Sequence, residues 1–528
     1  MLDRRFDPES LRFDARLRAD VERTAERVRE TGRTRWLAHV IEAPVDDPIG
    51  CYAHAGLRDR FLWQRVEADQ FFCAWGSVDE TESAGPTRFD DVRGWWNQLR
   101  GRLDWTGAAR PSRAPCFMGG FGFEEEPNAS ADWKAFPAAR FVLPEVIIER
   151  WQGVERWVLF QRVEKGATSD GILRKLTERL EDAAAANTPP CSSDVAVDQT
   201  GIVDVMPSEP ADWSAGPEYV VRADRSHATF RAQIRAALAG IEQGRLDKVV
   251  LARSLSVDHD GDFGEVAFFD RLRSLYPSCT LIAVGRARDT FVAATPERLV
   301  HMEGRRVETA ALAGSAPRGR QPEEDRALGD GLLHGEKERA EHAHVVTAIR
   351  DVLDPLCSTL EISAAPRLRR LFGIQHLETP IRGELRGGDG EVIGDRAVDA
   401  AEGSRRESDA TAHAGPHLLE LARALHPTPA VGGLPVEAAK SWLRHRERLE
   451  RGWYAAPVGW LDLDGGGDLR VALRSALIRN GLGTIGQSGA SRALLFGGAG
   501  IVAGSDPESE LVETRIKLRA LLAPLTEI

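Results

Sequence analysis

The chain has 528 residues, 42% hydrophobic and 28% charged, with a formal net charge of −12. That length can bury a sizeable core, and the balance is that of a soluble globular protein. The acidic excess weighs against nonspecific nucleic-acid binding, while leaving an anionic substrate open because local fields decide that. No apolar run approaches membrane-spanning length, and the opening Met1-Leu-Asp-Arg-Arg-Phe-Asp offers no apolar stretch for a signal peptide. The six cysteines include no CxxC pair, so no zinc knuckle or redox motif is visible, and scattered thiols predict a cytoplasmic protein.

Residues 9–31 are charged with an apolar residue every three or four, which predicts a surface helix. Strands are predicted over 36–41, 61–66, 70–75, 116–123, 141–151 and 156–162, with a helix over 91–103. Met118-Gly-Gly-Phe-Gly-Phe123 reads as a strand where backbones approach rather than a phosphate loop. A helix over 170–186 runs into Asn187-Thr-Pro-Pro and a weakly hydrophobic stretch to about Tyr219, which predicts an exposed linker. From Ser226 the pattern sharpens: a helix over 229–243, a strand over 247–257, a helix over 266–276, strands over 280–285 and 290–294, and a hairpin. A long helix is predicted over 323–353, a mobile glycine-rich loop over 384–415, and strands over 456–462 and 469–479. The last strand runs from Phe496 into glycines, and Ser505-Asp506-Pro507 opens a final helix. Strands and helices mix without strict βαβ alternation, which predicts an α+β fold with antiparallel sheet.

The final helix carries Glu510 and Glu513 at i, i+3 and Lys517 four further on, all on one face. An ordinary solvated face is the competing reading. On the long helix, however, Glu338 and Glu341 continue a stripe formed by Val345, Ala348 and Val352, and carboxylates buried in such a stripe need a cation. Two ExxE faces meeting would supply four hard oxygen ligands, suited to Mg²⁺. His342 and His344 diverge on a helix and no cysteine is near, which disfavours zinc. Lys248 shares a strand face with Val250, Ala252 and Ser254, where desolvation would bring it toward a usable base; a strand-end lysine reaching solvent is the alternative. Arg474, beside Arg470, Ala472 and Ala476, has space to grip a carboxylate at two points. Glu297, Tyr454, His376 and His426 each read alone as a cap, a core tyrosine and structural histidines. Magnesium with arginine and lysine points to a small substrate bearing two anionic groups.

These segments together resemble the chorismate-utilising enzymes and, within them, the isochorismate synthases. The resemblance covers about residues 225–525 and rests on Asp247-Lys-Val-Val-Leu-Ala-Arg253, Thr295-Pro-Glu-Arg-Leu299, Ala311-Leu-Ala-Gly-Ser315, Glu336-Lys-Glu-Arg-Ala-Glu-His342, Gln375-His-Leu-Glu-Thr379, Leu425-His-Pro-Thr-Pro-Ala-Val-Gly-Gly433, Arg451-Gly-Trp-Tyr-Ala-Ala-Pro-Val-Gly459, Val471-Ala-Leu-Arg-Ser475, Gly498-Ala-Gly-Ile501 and Glu510-Leu-Val-Glu-Thr-Arg-Ile-Lys517. It implies an α+β fold of two large packed antiparallel sheets with helices outside, in which an N-terminal part (1–224) is integrated with a chorismate-binding catalytic region (225–528). It implies Mg²⁺ held by Glu341 and Glu513 with Glu338 and Glu510 close by, and a substrate-binding set of Gly314, Ser315, His376, Tyr454, Arg474, Gly498 and Lys517. Lys248 is implied as the base that activates water for attack at C2, and Glu297 as the acid that protonates the departing C4 hydroxyl. The implied product is isochorismate, for menaquinone; the alternatives are a salicylate synthase, a siderophore supply, or chorismate binding without turnover. Ala313 stands where aminodeoxychorismate synthases carry a nucleophilic lysine, so no amidotransferase subunit is expected, and neither nucleic acid nor membrane is an expected partner.

Overall fold

Apolar residues on both sides of the strands build two cores around one sheet. In the strand Arg60–Arg65, Phe61 and Trp63 turn one way and Leu62 the other; in Gln70–Trp75, Phe72 and Ala74 oppose Phe71, Cys73 and Trp75. Near-continuous apolar runs of this kind belong to a sheet covered on both faces. The computed structural model describes residues 14–108, 114–126, 130–187, 219–387, 417–481 and 490–526. Residues 9–13, the predicted linker beyond Asn187, and most of the predicted 384–415 loop lie outside these described residues.

Among the described residues a 13-stranded sheet packs against a 10-stranded one. Neighbouring strands are antiparallel throughout except for Arg35–Glu42 beside Leu103–Gly107. The larger sheet joins N-terminal strands to C-terminal ones where Arg60–Arg65 pairs with Thr280–Arg286. The smaller does so where Phe117–Phe121 pairs with Pro457–Leu461. The aromatic core between the sheets includes Trp460, whose ring stands 5.2 Å from Trp151, 6.2 Å from Phe72 and 6.4 Å from Trp63. Trp460→Ala should therefore cost about 3–5 kcal/mol, seen as a lowered urea midpoint at unchanged slope. The outer face of the larger sheet is covered by the helices Ala15–Thr31, Ser169–Ala186, Glu265–Leu275 and Pro507–Thr526.

Two predicted elements differ. The long helix is two, Pro322–His334 and Glu336–Leu353, because Gly335 takes an extended backbone (φ −61°, ψ 126°) between them. The predicted strand over 469–479 is also two: Gly467–Val471 lies in the smaller sheet and Ser475–Arg479 in the larger. The chain changes sheets at Ala472-Leu473-Arg474, and Arg474 takes a left-handed backbone there (φ 46°). Hence Arg474 does not share a strand face with Arg470, which turns instead to Asp468 at 2.6 Å.

Candidate active site

The cavity is framed by the pairing of Lys248–Asp260 with Ala490–Val502. Val250 lies opposite Gly500, and Ala252 opposite Gly498. Cross-strand partners share a face, so the glycines leave a hollow beside Lys248 and Val250. A Cβ on Gly500 would stand 2.7 Å from Glu341 Oε1 and 3.1 Å from Lys248 Cε, so no larger residue fits without displacing the site. The strand Arg306–Pro317 reaches the same hollow with a bulge between Ala313 and Ser315, centred on Gly314 (φ 77°), which re-aims both residues.

Lys248, Glu297, Gly314, Ser315, Glu341, His376, Tyr454, Arg474, Gly498, Glu513 and Lys517 line this one cavity. Residues far apart in the chain thus converge on one cavity, among them Glu297, Tyr454 and His376, which read alone as structural. Glu338 and Glu510 do not line it. Glu510 is buried and accepts from Lys337 Nζ at 3.2 Å, whereas Glu338 is half-buried near Gly314. The buried stripe of the helix Glu336–Leu353 is His342, Val345, Ile349 and Leu353; Glu338, four before His342, is in line with it, whereas Glu341 lies to one side. His342 is fixed by Thr379 Oγ1 at 2.7 Å, while His344 is exposed.

The carboxylates on the two helices meet lysines. Lys248 Nζ donates to Glu341 Oε1 at 2.8 Å; Lys517 Nζ donates to Glu513 Oε1 at 2.7 Å and to the Gly498 carbonyl at 2.8 Å. Lys248 does not reach solvent; it is 1% exposed. Burial alone would raise the Glu341 carboxyl, but the charge and hydrogen bond of Lys248, with Lys517 and Lys337 behind, hold it below its ordinary value. Glu510 goes the other way: burial, then the negative charge of Glu513, push its carboxyl up. The donors these carboxylates offer are oxygens only, the kind a hard divalent cation takes, although a lysine now pairs with each of Glu341, Glu513 and Glu510. Among the described residues no cluster of three or more His, Cys, Asp or Glu is already closed up for a metal.

Arg474 is 7% exposed, and no carboxylate pairs with it among the described residues. Its guanidinium can only donate, so the 3.1 Å contact to His376 Nε2 makes that nitrogen the acceptor and puts the imidazole proton on Nδ1. Nδ1 then serves Ser315 Oγ at 3.0 Å and the Gly314 carbonyl at 3.3 Å. Burial, then the charges of Arg474 and Lys517, hold His376 well below the usual histidine range, so it is neutral. Tyr454 stacks on Phe496 with ring centroids 5.1 Å apart, and burial pushes its hydroxyl up to about 12. A buried guanidinium and a protonated phenol without an acid partner are prepared for an anion.

Glu297 is anchored by its backbone: its N–H donates to Thr295 Oγ1 at 3.1 Å, and its carbonyl accepts from Val471 at 3.2 Å. The side chain is buried, and burial pushes its carboxyl up to about 7 against the opposing pull of Lys248, the Thr428 hydroxyl and Lys517. A carboxyl with that value can hold a proton and release it near neutral pH.

Sequence reasoning missed the supports. Thr428 Oγ1 reaches Glu297 Oε1 at 3.5 Å; the rigid turn around His426 was legible, but not what it faces. Arg451 donates twice to Glu447, at 2.7 and 2.8 Å, and also to the Val431 and Val250 carbonyls. That buried clamp ties the Tyr454 segment to the Lys248 strand. Its signal was the i, i+4 spacing of opposite charges just before a tyrosine motif. His426 packs its ring on Phe123, 5.7 Å away, and lies outside the cavity lining.

Fold and cavity together define one enclosed site in which Lys248, Lys517 and Arg474 meet the carboxyl groups of Glu297, Glu341 and Glu513. Residues 23–391 and 406–526 match the family described as chorismate binding enzyme. The chain is 34% identical to the salicylate biosynthesis isochorismate synthase of Pseudomonas aeruginosa, over 97% of this chain and 94% of that protein. It is 30% identical to isochorismate synthase MenF of Bacillus subtilis, over 91% of each. The solved structure of MenF, the menaquinone-specific isochorismate synthase from Escherichia coli, superposes with a TM-score of 0.66 at 21% identity, covering 96% of this chain and 100% of that one. This chain belongs to the chorismate binding enzymes. Among its described residues no helix is long and apolar enough to cross a membrane.

Proposed function

We propose that the protein is an isochorismate synthase, converting chorismate to isochorismate reversibly. The observation that carries this reading is the convergence of Lys248, Glu297, Arg474 and Tyr454 on the cavity that also receives Glu341 and Glu513. Arg474 and Tyr454 hold the enolpyruvyl carboxylate, with Lys517 adding positive field and His376 keeping Arg474 oriented. Lys248 takes a proton from water as the oxygen bonds to C2. The ring double bonds shift, the C4–oxygen bond breaks, and Glu297 gives its proton to the departing hydroxyl, which leaves as water. One water enters and one leaves; Lys248 has gained a proton and Glu297 has lost one, and exchange with solvent resets both. Lys248 must leave its ion pair with Glu341 before it can act as a base. Glu341 and Glu513 would hold Mg²⁺, with Glu338 and Glu510 close by outside the cavity lining, and the ion would supply charge neutralisation for a substrate carboxylate.

Ala313 stands beside the bulge where aminodeoxychorismate synthases carry a nucleophilic lysine, and we infer that the chain works without an amidotransferase. We place it in the cytoplasm, in keeping with five free, buried cysteines among the described residues. Menaquinone synthesis is the proposed destination of the product. The relative named for salicylate biosynthesis, matched at 34% identity, favours a second destination, a salicylate or siderophore route.

Incubation with chorismate and Mg²⁺, resolved by chromatography, should show isochorismate approaching a fixed ratio with chorismate. Salicylate and pyruvate without surviving isochorismate would make it a salicylate synthase; bound but unchanged chorismate would make it a binding protein. Glu513→Gln should raise the Mg²⁺ concentration for half-maximal activity by about tenfold or more, since a charged oxygen donor becomes neutral. An unchanged titration would leave Glu513 only its ion pair with Lys517.

A further inference from the structure

Beside the catalytic cavity lies a second one of about 450 Å³, sharing with it Pro296, Glu297 and Leu312. Its wall carries Arg65, Arg298, Arg367, Arg369, Arg382 and Arg470, facing Glu67, Glu308 and Glu378. Arg298 spends Nη1 on Glu308 at 2.8 Å and stands 3.6 Å from Asp468, yet its Nε is buried without a partner. Arg369 donates to the Ser278 carbonyl, and its Nε is likewise buried and unpartnered. Arg65 is held below its ordinary value by burial and then by the charge of Arg298. Guanidinium groups that outnumber the acids lining the same cavity, two of them with a buried N–H unsatisfied by the protein, are the inverse of a metal site. Arg367 and Arg382, 65% and 68% exposed at the side chain, stand at the mouth.

We propose that this arginine cavity binds a small multivalent oxyanion, a compound bearing two or more carboxylate or phosphate groups. Glu297 and Arg298 are consecutive, and Glu297 lines both cavities while Arg298 lines the second alone. An anion held there sits one residue from the group placed as the proton donor. Two sources share the chemistry: the substrate's own pair of carboxylates in transit, which rests on the function proposed above, or a separate effector.

Calorimetric titration of the full chain, metal-free, with sulfate and with propane-1,2,3-tricarboxylate reads binding without turnover, so its outcome is independent of the proposed reaction. One site is expected, with the tricarboxylate tighter, and Arg369→Gln should weaken it about tenfold through loss of charge-assisted hydrogen bonds. Arg382→Gln, on an exposed side chain that the fold does not need, should weaken it about threefold. Binding no stronger than chloride at equal ionic strength, or wild-type affinity in both variants, overturns the proposal. So does loss of binding in Arg474→Lys with retention in Arg369→Gln, which would put the anion in the catalytic cavity. In steady-state assays, competition with chorismate and a raised KM in Arg369→Gln assign the site to substrate in transit; noncompetitive behaviour with KM unchanged assigns it to an effector.

Discussion

Lys248→Ala should lower kcat for isochorismate formation by about 10²–10⁴-fold, the usual contribution of a positioned general base. The side chain is 1% exposed and pairs, among the described residues, with Glu341, so its removal also leaves a carboxylate that Lys248 now holds below its ordinary value. Part of any loss could therefore come from charge rather than from proton transfer. Two companions separate these causes. Lys248→Arg keeps a cation opposite Glu341 but cannot give up its proton near neutral pH, and it should be as inactive as alanine. Lys248→Gln keeps a hydrogen-bond donor to Glu341 and should bind Mg²⁺ with little change. Recovery of more than a tenth of wild-type kcat in the arginine variant would show that Lys248 serves by charge, and the base would have to be sought elsewhere. Near-UV circular dichroism with Mg²⁺ present should superpose on wild type for all three.

Much of this site was legible because its residues sit on regular elements whose periods can be counted. Alternation placed Lys248 and Val250 on one strand face, and the i, i+3, i+7 spacing placed Glu510, Glu513 and Lys517 on one helix face. The α+β class followed from the order of elements, and the two packed sheets bear it out. What counting misses is where regularity breaks. Arg474 was read as an ordinary strand position, whereas it lies at a crossing between sheets in a left-handed backbone, and that departure aims it at His376. Gly335 interrupts a helix that otherwise reads as continuous, which shifts Glu338 to the first turn of a new helix. The partner of each charge is equally invisible from spacing. Lys248 on Glu341 and Lys337 on Glu510 are contacts between elements far apart in the chain, set by how the helices pack on the sheets. The arginine cavity is the extreme case, since its six arginines come from five separate stretches of the chain.

Glu297→Gln should lower kcat by about 10²–10⁴-fold and at the same time make the folded protein more stable at alkaline pH. The two effects have one cause. Burial raises the Glu297 carboxyl from 4.5 to about 7, so between those values the folded state holds a proton that the unfolded chain has released. A state that binds more protons loses stability as pH rises, so the wild-type protein weakens across that window and stays weaker above it. At about 1.4 kcal/mol for each pH unit, the full penalty is about 3 kcal/mol, an upper figure because the opposing charges of Lys248 and Lys517 are close. Glutamine keeps the shape and carries no charge at any pH. The urea midpoints of wild type and variant should therefore coincide near pH 4.5 and diverge toward pH 8, with the variant higher. Midpoints that stay parallel would mean that Glu297 is ionised at no cost in the folded state, which would remove its capacity to donate a proton near neutrality. Loss of activity without the stability gain would make it a structural acid held by Thr428. Activity and stability moving in opposite directions is what a carboxyl kept protonated for proton donation requires, because the desolvation that raises its pKa is the same desolvation that the glutamine variant escapes.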